Sequence, residues 1–225
     1  MSNKPELVLT VPRTAITTAL GLANTNDLDG VVIRTGLNYL ENIQHDFSFS
    51  DRKIVDGKTN PKIDLAKASA KPQLLGYVVV IDESTNTILT YDRKGKETGL
   101  NGKSSIGIGG HVDAEDYLDG MTLAELIIQS TERELKEEIN IDVRLNESNF
   151  KGVIISNADD VSKVHIGLAA VVYLDNRDGI ELEDHLINPR WLSVDQLSGD
   201  QITLETWSKI LVGSIFLPSV NLIER

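Results

Sequence analysis

The clearest hydrophobic patterns lie in the later two thirds of the chain, where apolar runs alternate with polar turns. Residues 74–81 and 87–91 are rich in β-branched side chains, which predicts two strands. Residues 82–86 between them are polar, so the pair is expected to form a hairpin. Residues 164–174 predict a long buried strand, and residues 187–192 predict a shorter one.

Two segments have the pattern of helices. Residues 122–138 begin with a capping box, in which Thr122 and Glu125 each satisfy a backbone amide of the other. Asn140 follows the helix, and Asn is second only to Gly in a left-handed helix cap. Residues 203–212 predict a closing helix. Because strands and helices do not alternate regularly, we expect an α+β fold.

The first 70 residues are patterned more weakly. Residues 7–11 predict a short strand, and residues 37–43 predict part of a helix. Residues 49–70 are polar, and we interpret them as a connection between two parts of the chain. These parts are an N-terminal extension or lobe, residues 1–70, packed on a main domain, residues 71–225. The alternative is a surface excursion within one domain.

Composition excludes several classes of function. The absence of cysteine rules out disulfides and thiolate metal sites and fits a reducing compartment. No run approaches about 20 apolar residues, and the N-terminus lacks the features of a signal peptide, so we expect a cytoplasmic protein without a membrane span. A net charge of −12 repels phosphate backbones, which argues against general nucleic-acid binding.

The helix over residues 122–138 carries the candidate chemistry. Glu134, Glu137 and Glu138 are spaced to share one face, near a helix end that already disfavours negative charge. A hard cation such as Mg²⁺ or Mn²⁺ relieves this repulsion and takes carboxylate oxygens as ligands. Arg133 adjoins the cluster and can orient one carboxylate. The alternative is a solvated acidic helix face, which is common.

The segment from Arg133 to Ile141 resembles the second half of the Nudix box, Arg-Glu-aliphatic-x-Glu-Glu-x-Gly-aliphatic, with Asn140 in place of Gly. In the first half of the box, Glu125 stands eight positions before Arg133, as in the family. Gly110 resembles the family's Gly but lies 15 positions before Glu125, where the family has six. We therefore expect nine inserted residues, within residues 111–120.

Further segments strengthen the resemblance. Residues 11–13 and 105–111 are similar to a Nudix branch described as predicted phosphoesterases, and residues 189–197 resemble the segment that often follows the last core strand. The resemblance covers roughly residues 74–197, with a weaker extension to the N-terminus. It implies a Nudix-type α/β/α sandwich, a mixed β-sheet between helices.

The resemblance also implies a reaction and a set of roles. Water attacks phosphorus in a nucleoside diphosphate linked to a further group, and a phosphoanhydride bond breaks with the help of Mg²⁺ or Mn²⁺. Glu137 and Glu138 are then the primary metal ligands, and Glu134 is a further ligand or the base. Arg133 holds Glu134 in place. The backbone of Gly110 approaches the metal and offers its carbonyl.

Residues outside the box are candidates for substrate contacts. Asp159 and Asp160 lie on an acidic loop that could supply the general base, although a plain surface turn is the simpler interpretation. His111 follows Gly109 and Gly110, the Gly pair that resembles the family's. His165 alternates into an apolar strand and faces either the core or a pocket. His185 has no supporting context and is interpreted as a surface residue.

Two functional hypotheses remain from the sequence. The first is an enzyme acting on a small phosphorylated nucleotide-type substrate, with a homodimer as the assembly to consider. The second is a catalytically silent Nudix-fold module that binds a nucleotide and regulates a partner. Such modules usually lose a box carboxylate, whereas this chain keeps three. The identity of the substrate does not follow from the box, because loops set substrate choice in this fold.

Overall fold

The computed structural model describes residues 4–22, 31–33, 35–56, 63–94 and 102–216. Its strands are β1 Leu7–Thr10, β2 Val31–Ile33, β3 Ser48–Asp51, β4 Gln73–Asp82, β5 Thr87–Arg93, β6 Ser104–Ser105, β7 Gly107–Ile108, β8 Phe150–Ile155, β9 His165–Leu174 and β10 Leu186–Leu192. Its α-helices are α1 Arg13–Ala19, α2 Arg52–Val55, α3 Leu65–Ala70, α4 Leu123–Ile139, α5 Asp160–Lys163, α6 Val194–Ser198 and α7 Thr206–Leu211. Short 3₁₀ turns cover Asn38–Ile43, Ala114–Asp116 and Glu147–Asn149, and Val212–Phe216 forms a π turn.

The strands form one mixed sheet in the spatial order β10-β5-β4-β9-β8-β2. The central pair, β4 and β9, is parallel over ten residues, from Gln73 opposite His165 to Asp82 opposite Leu174. The other pairings are antiparallel, including the predicted β4–β5 hairpin. The parallel register brings the first residues of β4 and β9 side by side, and the site described below lies at this end of the two strands.

Alternate residues of β4 pack into two different cores. Leu74, Val78 and Val80 face the cluster that includes the apolar side of α4. Leu75, Tyr77, Val79 and Ile81 face a second cluster that includes Trp207 and Leu211 of α7. Period-two alternation places successive strand residues on opposite faces of a sheet. The sheet therefore lies between two helical layers, and the predicted α+β sandwich with a mixed sheet is confirmed.

Helix α4 begins and ends as its sequence predicts. The amide of Glu125 donates to the Thr122 hydroxyl at 3.2 Å, and the amide of Thr122 donates to the Glu125 carboxylate at 2.8 Å. Asn140 ends the helix in the left-handed conformation, with φ 58° and ψ 27°. The helix lies close to β4 at Gly76, where a Cβ would lie 2.2 Å from the hydroxyl oxygen of Thr131.

The N-terminal residues pack into the same core as α4. Leu9, Val11 and Ile16 belong to the α4 cluster, and β1 pairs with β3 and touches β4. The buried Arg13 donates to the carbonyls of Ser69 and Lys163, at the ends of α3 and α5. The segment over residues 49–70 thus holds short elements that its composition did not predict, and its residues 57–62 lie outside the described residues. Among the described residues, no helix is long and apolar enough to cross a membrane.

The left-handed cap generates the first prediction. Asn140→Val places a β-branched residue at positive φ and should lower the free energy of unfolding by about 1–3 kcal/mol. Asn140→Gly relieves backbone strain but loses side-chain hydrogen bonds to Lys136 and Gly179, so its change should stay within about 1 kcal/mol. Urea unfolding of both variants measures this difference. Equal stabilities would show that the conformation of residue 140 carries no strain.

Candidate active site

The C-terminal end of α4 borders a cavity of about 320 Å³, which lies where strands β4 and β9 begin. Its walls come from α4, the segment after β7, the starts of β4 and β9, the loops before α5, α7 and β10, and helix α2. The lining residues are Arg52, Leu75, Tyr77, Arg93, Ser105, Gly109, Gly110, His111, Glu134, Glu138, Asp159, Val161, Ser162, His165, His185, Glu205 and Trp207. Elements distant in sequence thus converge on the helix that the sequence singled out.

The Gly pair lets the backbone come close to α4. A Cβ at Gly110 would lie 1.8 Å from a carboxylate oxygen of Glu134, and one at Gly109 would lie 2.9 Å from the carbonyl oxygen of Gly76. Any side chain at position 110 would therefore displace the carboxylate. The Glu134 side chain is only 14% exposed, and burial raises its pKa to about 7 against the opposing effect of Arg133.

Arg133 uses every nitrogen of its guanidinium group. Nη1 donates to Glu134 and Glu137, both at 2.8 Å, while Nε and Nη2 donate to the two oxygens of Asp116, both at 2.9 Å. Nη2 also donates to the carbonyl of His111 at 2.9 Å. A parallel fork of this kind fixes orientation as well as contributing energy. Arg133 therefore holds the Glu134 carboxylate and ties it to the segment that follows Gly109 and Gly110.

Asp116 changes the alignment of the first half of the box. It stands six positions after Gly110, the family spacing between Gly and Glu, and it is buried against Arg133. Glu125, which the sequence analysis placed in that role, is occupied instead in the exposed cap with Thr122. The nine additional residues therefore fall between Asp116 and Arg133 rather than within residues 111–120. Counting forward from Gly110 would have found this residue, whereas counting back from Arg133 concealed it.

His185 lies in the cavity and not on an open surface, so its interpretation as a surface residue was wrong. Its Nε2 is 3.1 Å from a Glu138 oxygen, and its Nδ1 is 3.4 Å from a Glu183 oxygen. One ligand atom from each of these three residues lies within 4.8 Å of the others. Burial raises the pKa of Glu138, while the charges of His185 and Arg93 oppose that rise.

Two predicted carboxylates point elsewhere. The Glu137 side chain is 54% exposed, contacts Arg133 and does not line the cavity. The Asp160 side chain is 74% exposed and pairs with Lys163 on the outer side of α5. The structure thus brings Glu134, Glu138, Gly110, His111, Asp159 and His165 together around one cavity and leaves Glu137 and Asp160 outside its walls.

The remaining predicted residues line the opposite wall. Asp159 caps α5 and accepts from the Ser162 amide at 2.7 Å and the Thr206 hydroxyl at 2.6 Å. Burial opposes its ionisation, but these hydrogen bonds outweigh it and lower the pKa of Asp159. His165 is buried, with Nδ1 2.7 Å from the carbonyl oxygen of Val161, and its ring centre is 6.4 Å from that of His111.

An aromatic and acidic corner, formed by Tyr77, Glu205 and Trp207, completes the cavity. Trp207 packs edge-on against Tyr77 at 5.3 Å and fits against Gly167, where a Cβ would lie 2.6 Å from the indole ring. Glu205 caps α7 through the amides of Trp207 and Ser208, both at 2.8 Å, and accepts a short hydrogen bond from the Tyr77 hydroxyl. Trp207 therefore packs in the second core cluster and also forms part of a cavity wall.

The raised pKa of Glu134 generates a pH prediction for metal-free protein. The folded state holds this proton up to about pH 7, whereas the ordinary pKa of a Glu side chain is 4.5. The stability contributed by the protonated form is complete below pH 4.5 and is lost as pH rises towards 7. Glu134→Gln should therefore gain about 1–3 kcal/mol of stability relative to wild type between pH 5 and pH 8. Urea unfolding in chelator measures the gain, with the exposed Glu147→Gln as control, and a pH-independent difference would contradict it.

Comparison with known proteins agrees with this geometry. No protein-family model matches the chain. Over 146 residues the chain is 34% identical to Protein YmaB of Bacillus subtilis (strain 168), with 62% of this chain and 69% of YmaB covered. The crystal structure of Tm1382, described as a candidate Nudix hydrolase, is similar to this chain, with a TM-score of 0.69 and 25% identity over 93% of this chain and 98% of Tm1382. The motif from Arg133 to Ile141 contributes Glu134 and Glu138 to the cavity. The chain belongs to the Nudix superfamily.

Proposed function

We propose that this protein is a divalent-metal-dependent hydrolase that cuts a phosphoanhydride bond in a nucleoside diphosphate-linked small molecule. The observation that carries the proposal is the Glu134 carboxylate held against Gly110, beside Glu138, in a cavity that is also lined by Arg52 and Arg93. Carboxylates that bind a cation and arginines that bind phosphate are the two kinds of group that phosphoryl transfer requires.

The residues present fit a divalent cation. Glu134 and Glu138 are partly buried carboxylates whose pKa values are raised by burial, and a cation would stabilise their charged forms. Ligand atoms about 2.1 Å from an octahedral ion lie about 3 Å apart when adjacent, and Glu138 and His185 are separated by 3.1 Å. Glu138, Glu134, His185 and the Gly110 carbonyl would hold the ion, with Glu183 beside them. When bound, the ion neutralises phosphate charge and polarises the phosphorus–oxygen bond.

The chain's own residues would position water and accept its proton. The water oxygen forms a bond to phosphorus while the bridging phosphorus–oxygen bond breaks, and the leaving phosphate takes the electron pair. Glu134 is the favoured base, because its carboxylate lines the cavity beside Gly110 and Arg133 fixes its orientation. Asp159 is the alternative, but its two oxygens already accept hydrogen bonds from Ser162 and Thr206. Arg133 cannot serve as the base, because its guanidinium group stays protonated, and it positions Glu134 instead.

In the proposed site, Glu137 acts through its hydrogen bond with Arg133. Its carboxylate accepts from the same nitrogen as Glu134, so it shares the orientation of that guanidinium group. The silent regulatory module is the second candidate, and the retention of Arg133 together with all three box carboxylates favours the enzyme. We propose a small phosphorylated nucleotide as the substrate, a cytoplasmic location and Mg²⁺ or Mn²⁺ as the cofactor.

Metal dependence is the direct test of the proposed function. Hydrolysis of a panel of nucleoside triphosphates and nucleoside diphosphate-linked compounds should require Mg²⁺ or Mn²⁺ and stop in excess chelator. Glu138→Gln should lower kcat at least about a hundredfold, while its thermal stability in metal-free buffer stays equal or rises because like-charge repulsion is relieved. Glu147→Gln, an exposed carboxylate outside the cavity, is the control. Full turnover in chelator, or a metal-free Glu138→Gln protein that is clearly less stable, would contradict the assignment.

The imidazole at the site generates a prediction about metal preference. Imidazole nitrogen suits Mn²⁺ better than Mg²⁺, which prefers oxygen ligands. His185→Gln should weaken Mn²⁺ binding about tenfold or more and weaken Mg²⁺ binding less. Electron paramagnetic resonance of free Mn²⁺, with Mg²⁺ as competitor, measures both affinities, and His45→Gln serves as the exposed control. An unchanged ratio of the two affinities would remove His185 from the ligand set.

A further inference from the structure

One wall of the cavity comes from the N-terminal segment, through Arg52 at the start of α2. Two carboxylates hold its guanidinium group. Asp56, which is buried, accepts from Nε at 3.1 Å, and Glu6 accepts from Nη1 at 2.7 Å. The backbone is fixed as well, because the Arg52 amide donates to the Glu6 carbonyl at 2.9 Å. Arg52 is therefore held in its orientation before any ligand arrives.

Donor counting separates Arg52 from Arg133. A guanidinium group carries five N–H donors. Arg133 spends its three nitrogens on Asp116, His111, Glu134 and Glu137. Arg93 donates to the Tyr91 hydroxyl and its charge acts on Glu138. Within the described part of the chain, Nη2 of Arg52 donates to no acceptor, so at least this nitrogen has both N–H donors for a ligand.

We propose that Arg52 is a specificity-determining residue that binds a further phosphate of the substrate, beyond the two phosphates that the scissile phosphoanhydride bond joins. This inference rests on the proposed hydrolase function and adds a substrate class to it. Substrates that carry a further phosphate on the leaving side, such as nucleoside triphosphates, should be preferred over nucleoside diphosphates linked to an uncharged sugar.

The physical basis is complementarity to a chain of phosphates. Glu134 and Glu138 occupy the wall where a cation neutralises one phosphate, whereas Arg52 reaches the cavity from a separate element. Arginine presents a planar fork that matches phosphate oxygens, and little orientational freedom remains to be lost when carboxylates already hold it. An uncharged sugar would leave the Arg52 donors without an anionic partner, so discrimination follows from the same contact.

The experiment compares Arg52→Gln with Lys53→Gln, which removes the same charge from the neighbouring position of α2 outside the cavity. Calorimetric titration with inorganic pyrophosphate and Mg²⁺ measures phosphate binding without turnover. Steady-state kinetics then compares a nucleoside triphosphate with the diphosphate-linked hexose of the same base. Arg52→Gln should weaken pyrophosphate binding and raise KM for the triphosphate by about tenfold to a hundredfold. The change in kcat, and in KM for the hexose compound, should stay within about threefold.

The outcomes separate this inference from the proposed function. Equal pyrophosphate affinities for Arg52→Gln and Lys53→Gln would overturn the role of Arg52, even if the enzyme hydrolyses nucleotides. Loss of pyrophosphate binding in Arg52→Gln, in a protein that hydrolyses no compound of the panel, would support the phosphate site and refute the hydrolase. If Arg52→Gln does not fold, Arg52→Lys decides the matter. If Arg52→Lys binds pyrophosphate more weakly at an unchanged melting temperature, the guanidinium group of Arg52 binds the phosphate. If its pyrophosphate affinity is unchanged, the proposed role of Arg52 is overturned.

Discussion

The guanidinium group of Arg133 is the interaction on which the site depends. It joins the helix carboxylates Glu134 and Glu137 to Asp116 and to the carbonyl of His111, so one cation fixes α4 against the segment after β7. Without it, the largely buried carboxylates of Asp116 and Glu134 and the exposed carboxylate of Glu137 would repel one another with no compensating charge. The Glu134 carboxylate stays this close to Gly110 because Arg133 holds it in that position.

Local patterns predicted the elements that local physics determines. Helix α4, its capping box and the left-handed Asn140 depend on residues within one helical turn of each other, and strands β4, β5 and β9 are long enough for their apolar patterns to be unambiguous. Strand β8 and the two-residue strands β6 and β7 were missed, because such short or mixed segments become strands only through their neighbours in the sheet.

The residues of the site that sequence reasoning missed are those that arrive from a distance. His185 reaches Glu138 because β10 pairs with β5, which sets Leu186 opposite Arg93. Arg52 reaches the cavity because β3, which precedes α2, pairs with β1 in the N-terminal segment. Neither pairing leaves a signal in the sequence around the residue concerned. Asp116 did leave one, its distance from Gly110, but the extra residues after it made Glu125 the more obvious partner of Arg133.

The energetic character of the site also bears on whether the protein is an enzyme. Natural sequences generally agree with their fold at every level, and departures from that agreement concentrate at functional sites. Here burial raises the pKa values of both Glu134 and Glu138, which means that the folded chain alone disfavours the charged forms of two cavity carboxylates. A silent module would gain stability from losing either carboxylate, since neutral side chains there would remove the penalty of charge burial. The chain instead keeps both and holds Glu134 with a fully engaged arginine. A cation and an anionic substrate in the cavity would make this arrangement favourable, as the proposed metal-assisted hydrolysis requires.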